Sequence, residues 1–162
     1  MIGQKNVIKL LSDNLPRAFI LIGREGSGRK QVVKEVSDIY HLEFSELEDN
    51  KVASIREMRN TALKSDTPTL YLIHKADNMS LNAKNALLKI LEEPPTNAYF
   101  AITVTNSYNL LDTIKSRAIL YPMDSYSGEE LREYIDTLPI ELQDKEKSLI
   151  LDICTTPGDL HI

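Results

Sequence analysis

The sequence predicts an α/β domain with a five-stranded parallel sheet and helices on both faces. Three observations carry this. Short apolar runs recur, Ala18 to Ile22 and Thr69 to Ile73 among them, at the length of strands buried on both sides. Amphipathic patterns at helical spacing alternate with these runs, which is the element order of a parallel sheet joined by crossover helices. A glycine-rich turn, Gly23-Arg24-Glu25-Gly26-Ser27-Gly28-Arg29-Lys30, follows the first run directly and leads into a helical pattern. That strand, loop and helix order is the context of a phosphate-binding loop, in which glycines let backbone N–H groups point at an anion.

A chain of 162 residues fits one such domain with room for the start of a second, and it buries a sizeable core. The apolar and charged fractions, 42% and 27%, are ordinary for a globular protein. No apolar run reaches about 18 residues, the span of a bilayer, and the N-terminus lacks the layout of a signal peptide. The single cysteine, Cys154, allows neither an internal disulfide nor a cysteine metal site. Together these absences point to the cytoplasm. The net charge of −5 argues against strong sequence-independent DNA binding by this chain alone, because such affinity comes from Lys and Arg neutralising phosphates. A nucleic-acid role would be shared with partner chains.

Taken in order, Ile2 to Leu11 forms a short amphipathic helix with Val7, Ile8, Leu10 and Leu11 apolar, broken by Asn14, Leu15 and Pro16. The first buried strand and the glycine loop follow. The loop leads into a helix with Val32, Val33, Val36, Ile39 and Tyr40 on its apolar side. Against the motif G-x-x-x-x-G-K-[ST] the last two positions fail. Arg29 stands where the phosphate-clamping lysine belongs, and its planar fork is not a point charge on a thin stem. Lys30 stands where a hydroxyl binds magnesium, and lysine cannot ligate a cation. The loop keeps its geometry and loses its chemistry; the alternative is a glycine turn with no phosphate role.

His41 to Leu47 is a second, edge strand, followed by the acidic loop of Glu46, Glu48, Asp49 and Asn50. Val52, Ile55, Met58, Arg59 and Ala62 mark a helix that ends at Thr67 and Pro68. Thr69 to Ile73 is the third strand, and His74-Lys75-Ala76-Asp77 follows it. Asp77 reads as a turn or capping residue. A helix then starts at the N-cap Ser80, with Ala83, Leu87, Ile90 and Leu91 on its apolar face and Ala86 and Leu88 widening it. Pro94 and Pro95 stop it. Glu92 and Glu93 place two negative charges at its C-terminus, where the helix dipole favours cations, at about 0.3–1 kcal/mol each if exposed. Two readings stand: a solvated end partly compensated by Lys89, or carboxylates that a group outside the helix needs. Asn97 to Thr105 is the fourth strand, Ser107 to Lys115 a loop with a short helical turn, and Ala118 to Met123 the fifth strand. Gly128 to Leu138 and Glu141 to Cys154 read as helices, the latter with Leu142, Leu149, Ile150 and Ile153 as its buried side.

The stretch Asn85-Ala-Leu-Leu-Lys-Ile-Leu-Glu-Glu-Pro-Pro95 resembles the signature of AAA+ clamp-loader subunits, in particular the bacterial DNA polymerase III delta-prime type. Ile55-Arg56-Glu57-Met58 resembles the family's "I-R-x-L" helix, Thr113-Ile114-Lys115-Ser116-Arg117-Ala118 its "T-I-x-S-R-C" motif with Ala118 for Cys, and Thr155-Thr156-Pro157-Gly158-Asp159 its "G-S-P-G" segment. The resemblance implies a P-loop AAA+ core over residues 1–123 and the start of a small helical lid over 124–162, ending before a collar domain. Active members end the third strand in Asp-Glu, to organise magnesium and polarise the attacking water. Here His74 and Lys75 hold those places, and neither does that work. Thr105 lies near the polar sensor of AAA+ proteins; its other reading is a strand-end hydroxyl. The four-cysteine zinc module of many relatives has no cysteine here, so no zinc is expected, nor ATP and magnesium.

In this family the motif arginine leaves its own subunit and stabilises charge on the γ-phosphate of a neighbour's ATP, a task suited to an always-charged fork. The resemblance therefore implies Arg117, beside Ser116, as an arginine finger in trans. It implies a non-hydrolysing subunit with motor (gamma/tau-like) and delta-like partners, acting with them on the sliding clamp and primed DNA. Glu92 and Glu93 would face basic groups of a partner, and Lys84 and Lys89 a DNA channel or solvent. Two rivals remain: an ATPase in which Arg29 and Lys30 bind nucleotide unusually, and a purely structural AAA+ remnant.

Overall fold

In the computed structural model, which describes residues 1–160, the chain forms α1 (Lys5–Asp13), β1 (Ala18–Ile22), α2 (Arg29–Ile39), β2 (Glu43–Glu46), α3 (Val52–Lys64), β3 (Thr69–Ile73), a 3-10 turn (Ala76–Asn78), α4 (Leu81–Glu92), β4 (Ala98–Val104), α5 (Asp112–Lys115), β5 (Ile119–Pro122), α6 (Gly128–Thr137), α7 (Asp144–Ile153) and a second 3-10 turn (Pro157–Leu160). The last two residues of the expected 124–162 segment lie outside the described residues.

The five strands form one parallel sheet in the order β2-β3-β4-β1-β5, as the alternation of apolar runs and helical patterns predicts. Side chains alternate across it. Ile20, Ile73, Phe100 and Ile102 join Ile55, Leu87 and Ile90 of α3 and α4 in one core. Phe19, Leu21, Leu70 and Leu72 join Leu11 of α1 and Val32, Val33 and Val36 of α2 in the other. Strands buried on both faces explain why the runs are continuous rather than alternating.

The signature helix α4 forms as its sequence requires. Ser80 Oγ accepts from the Ala83 N–H at 3.2 Å, Ala83, Leu87, Ile90 and Leu91 are buried, and Pro94 confines the helix to residues before Glu93. α6 starts at a reciprocal capping box between Ser127 and Glu130.

Several expectations need correction. The second strand is Glu43–Glu46 and the fifth Ile119–Pro122, both shorter than expected, because each edge strand is held on one side only. His41 instead turns the chain with φ +54°. Leu10 and Ile39 are exposed, lying at the margins of their apolar stripes. The largest difference is α7. It begins at Asp144, capped by Gln143 with Glu146, and none of its residues is buried. Leu149 and Ile153 are 65% and 80% exposed. The apolar stripe is real, but α6, which packs against α7, does not cover Leu149 and Ile153.

Candidate functional site

The glycine loop lies at the C-terminal end of β1, between β4 and β5, the end of a parallel sheet where ligands bind. It begins where the Gly23 N–H donates to the Val104 carbonyl at 3.1 Å. Gly26 and Gly28 take φ +77° and +87°, backbone that side chains rarely tolerate, and Gly28 caps α2. The loop therefore turns on two positive-φ glycines straight into α2. It borders a cavity of about 930 Å³ lined by Gly26, Gly28, Arg29, His74, Lys75 and Gly158, among others.

The residues in the chemical positions are occupied by one another. Lys30 is ion-paired with Glu46. Lys75 Nζ sits 2.5 Å from Glu25 Oε1, tying the end of β3 to the glycine loop. The Lys75 ammonium, by hydrogen bond and charge, holds the Glu25 carboxyl below its ordinary range. Arg29 is 3% exposed, and its Nη1 is buried with no partner among the described residues. Burial pulls its guanidinium pKa down, while Asp77 and Glu25 pull it up. His74 Nδ1 lies 2.7 Å from Thr103 Oγ1, which also accepts from the Lys75 N–H at 3.0 Å. Burial, then the nearby Arg29 and Lys75 charges, push the His74 pKa down and favour neutral imidazole. Asn50 Nδ2 donates to the carbonyls of His74 at 2.7 Å and Lys75 at 3.1 Å, fixing Lys75 at φ +54°.

Asp77 is also committed. Its carboxylate accepts from the Thr105 N–H at 2.8 Å and from the Thr105 hydroxyl, so it joins the 3-10 turn to the end of β4. Thr105, the residue at the sensor position, is thereby bonded to a carboxylate of its own chain. These residues do not fit a magnesium-bound nucleotide: no hydroxyl stands at position 30, no carboxylate ends β3, and Asp77 is already bonded. Among the described residues no group of three or more His, Cys, Asp and Glu is arranged to hold a metal.

The C-terminal segment closes on the loop. The Gly158 N–H donates to the Gly26 carbonyl at 3.1 Å, and Arg24 Nη1 donates to Thr155 Oγ1 at 2.6 Å. Asp159 Oδ2 accepts from the N–H groups of Thr155 and Thr156 at 2.9 and 2.8 Å, which pulls its pKa below the usual value. A Cβ on Gly158 would stand 2.1 Å from Gly26 Cα, so two glycines are needed here for backbone to touch backbone. The far side of the loop is held by Gln4 Nε2 and the Tyr126 hydroxyl, which donate to the Ser27 carbonyl at 3.3 and 2.8 Å.

Arg117 does not line that cavity. It follows α5, with its side chain 37% exposed. Its Nη1 donates to the Thr113 carbonyl at 3.0 Å and to Ser116 Oγ at 3.4 Å, and Ser116 Oγ itself donates to the Thr113 carbonyl at 2.9 Å. Its Nη2 lies 3.3 Å from Glu92 Oε1 at the end of α4. Lys89 stands in the last turn of α4 as expected, but among the described residues no ion pair joins it to Glu92, and none involves Glu93. The group outside α4 that meets Glu92 is on the same chain.

A second cleft, about 740 Å³, lies between α3 and α4 and is lined by Arg56, Arg59, Asn60, Asn82, Asn85 and Lys89 among others, with no acidic residue. Arg59 Nε is buried there without a partner among the described residues. Lys84 is not part of it. Sequence reasoning missed this cleft, whose signal is two arginines three residues apart on one helix face. It also missed Glu25, whose signal is a carboxylate inside an anion-binding loop. The Gly26–Gly158 contact has no local signal at all.

No described helix is long and apolar enough to cross a membrane. In sequence, the chain is 25% identical to the DNA polymerase III subunit gamma of Buchnera aphidicola subsp. Schizaphis graminum, over 83% of this chain and 47% of that protein. It is 42% identical to the DNA polymerase III subunit delta′ of Bacillus subtilis, over 48% of this chain and 23% of that protein. The chain thus spans about half or less of the length of these curated relatives. In structure, it matches the Thermotoga maritima RuvB Holliday junction branch migration motor with a TM-score of 0.77 at 18% identity, over 98% of this chain and 59% of that one. It matches a DNA polymerase III gamma subunit-related protein of the same organism with a TM-score of 0.68 at 20% identity, over 92% and 53%. The fold is the P-loop AAA+ α/β class that the strand and loop pattern predicts. The profile of the family described as DNA polymerase III, delta subunit, matches residues 34–126, more than half of the sequence, and the chain belongs to that family.

Proposed function

We propose that this chain is the AAA+ part of a clamp-loader subunit that does not hydrolyse ATP at its own site and supplies Arg117 to the ATP site of a neighbouring motor subunit. Residues 1–123 form the core, and 124–162 begin a helical lid. The partners are gamma/tau-like and delta-like subunits, and the assembly acts on a sliding clamp and primed DNA in the cytoplasm. One observation carries the reading. The two lysines at the metal-binding and water-activating positions, Lys30 and Lys75, are each neutralised by a carboxylate of this chain, Glu46 and Glu25. Hydrolysis needs charge stabilisation and an oriented water, and this site offers ion pairs in their place. The acid-free cleft of Arg56, Arg59 and Lys89 supports a shared contact with nucleic-acid phosphates, despite the net negative charge.

A second reading is favoured by Arg29. A buried guanidinium nitrogen without a partner, beside a glycine loop, supports anion binding without hydrolysis. The test is the full-length protein assayed alone. No magnesium-dependent ATP turnover is expected. Turnover abolished by Lys30→Ala would make the chain an ATPase, and tight nucleotide binding without turnover would support the second reading.

A further inference from the structure

We propose that Glu92 is a positioning residue for Arg117: it holds the guanidinium in a fixed orientation at the end of the signature helix. This rests on the reading of Arg117 as a finger acting in trans and deepens it. Two acidic residues at the C-terminus of α4 oppose the helix dipole. The structure gives the first of them a use, since Glu92 Oε1 meets Arg117 Nη2 at 3.3 Å. On the other side, Nη1 donates to the Thr113 carbonyl and to Ser116 Oγ. Arginine has five donors in a rigid plane. Three of them are taken by groups from α4 and from α5 with its C-cap Ser116, which restrains the plane from swinging about the long side chain. Nε–H and the second Nη2 hydrogen are left for an outside anion.

The carboxylate serves this better than a carbonyl alone, because it attracts the guanidinium from any starting rotamer and accepts along more than one direction. The pair is also partly open to solvent, 37% on the arginine side and 44% on the glutamate side, so water screens its charge. Glu92 therefore fixes the orientation of Arg117 beforehand while leaving Nε–H and one Nη2 hydrogen for a triphosphate. A flexible arginine would have to lose that rotamer freedom on each turnover. Glu93, one residue on, makes no ion pair among the described residues and serves as the internal control.

The test uses the loader reconstituted with full-length protein carrying wild-type sequence, Glu92→Gln, Glu93→Gln, Arg117→Ala, or Glu92→Gln with Arg117→Ala. Assembly is measured by analytical ultracentrifugation, and kcat and KM for ATP under clamp and primed-DNA stimulation. Glu92→Gln is expected to assemble normally and to lower the Arg117-dependent part of kcat about two- to fivefold, the range of an exposed ion pair, with KM unchanged. Glu93→Gln, which removes a charge at the same helix end without breaking an ion pair of this chain, is expected to lower kcat less than Glu92→Gln. The double variant should equal Arg117→Ala alone, a non-additivity that a general structural defect would not produce. If Arg117→Ala lowers kcat but Glu92→Gln does not, the finger stands and the positioning role is overturned. Equal loss in both acidic variants, a Glu92→Gln loader faster than wild type, or one that fails to assemble also overturns it, the last by placing Glu92 in the subunit interface. If Arg117→Ala leaves kcat unchanged, the finger reading and the positioning role fall together.

Discussion

Replacing Gly158 with alanine should detach the C-terminal segment from the glycine loop. The new methyl would stand 2.1 Å from Gly26 Cα and 3.1 Å from Gly26 C. Both are backbone atoms, so no rotamer change relieves the overlap. The segment must move away, at about 1–3 kcal/mol for overpacking. Moving it also breaks the Gly158 N–H bond to the Gly26 carbonyl, a net loss of about 0.5–1.5 kcal/mol. Gly158 is not at positive φ, so alanine returns about 0.4–1 kcal/mol through the unfolded chain. The balance is a loss of about 0.5–4 kcal/mol, felt as local opening wherever detaching the segment costs less than unfolding the sheet. Hydrogen exchange at Gly158 and the loop amides, with urea unfolding alongside, measures both. Gly128→Ala is the control, because a Cβ there meets nothing within 4 Å. If Gly158→Ala is as stable and as protected as Gly128→Ala, the proposed closure of this segment on the loop is wrong.

Two further outcomes follow from the site. The His74 pKa is lowered in the folded chain from its ordinary 6.5, so the unfolded state takes up the proton first. Stability should fall as pH drops through about 6.5 and below, and His74→Gln should flatten that slope in urea titrations. Glu25, Asp49 and Asp159, with lowered pKa values, lose their contributions only at more acidic pH and do not confuse the window. An unchanged slope would refute the assignment. In the α3–α4 cleft, Arg59→Ala should weaken primed-DNA binding by the assembled loader for all sequences alike and reduce the salt slope by about one; an unaltered slope removes the cleft from the DNA path.

The parts of this molecule that were legible in the sequence are those set by local chemistry. Ala18 to Ile22 had to be buried on both faces, Ser80 and Pro94 bounded α4, and the glycines from 23 to 28 marked a tight turn between strand and helix. The parts that were not legible depend on residues far apart in the chain. Glu25 meets Lys75, Lys30 meets Glu46 and Gly158 meets Gly26 only after the sheet has formed. Glu92 stood out as an electrostatic oddity, but the sequence offered no means of choosing Arg117 as its partner over a group on another protein. In α7 the pattern misled: Leu149 and Ile153 lie at helical spacing, yet spacing specifies a face and not what covers it.

We propose that this chain keeps the form of a motor ATPase and contributes chemistry only to a neighbour. The most direct measurement is clamp- and DNA-stimulated ATP hydrolysis by the reconstituted loader, with Arg117 intact or replaced by alanine. In the best-known nucleotide hydrolases an arginine finger is worth about 10³–10⁵ in rate. The Arg117→Ala loader should therefore assemble and lose essentially all turnover at one site while the others continue. A variant loader as fast as wild type at every site would contradict the claim and leave the chain a scaffold.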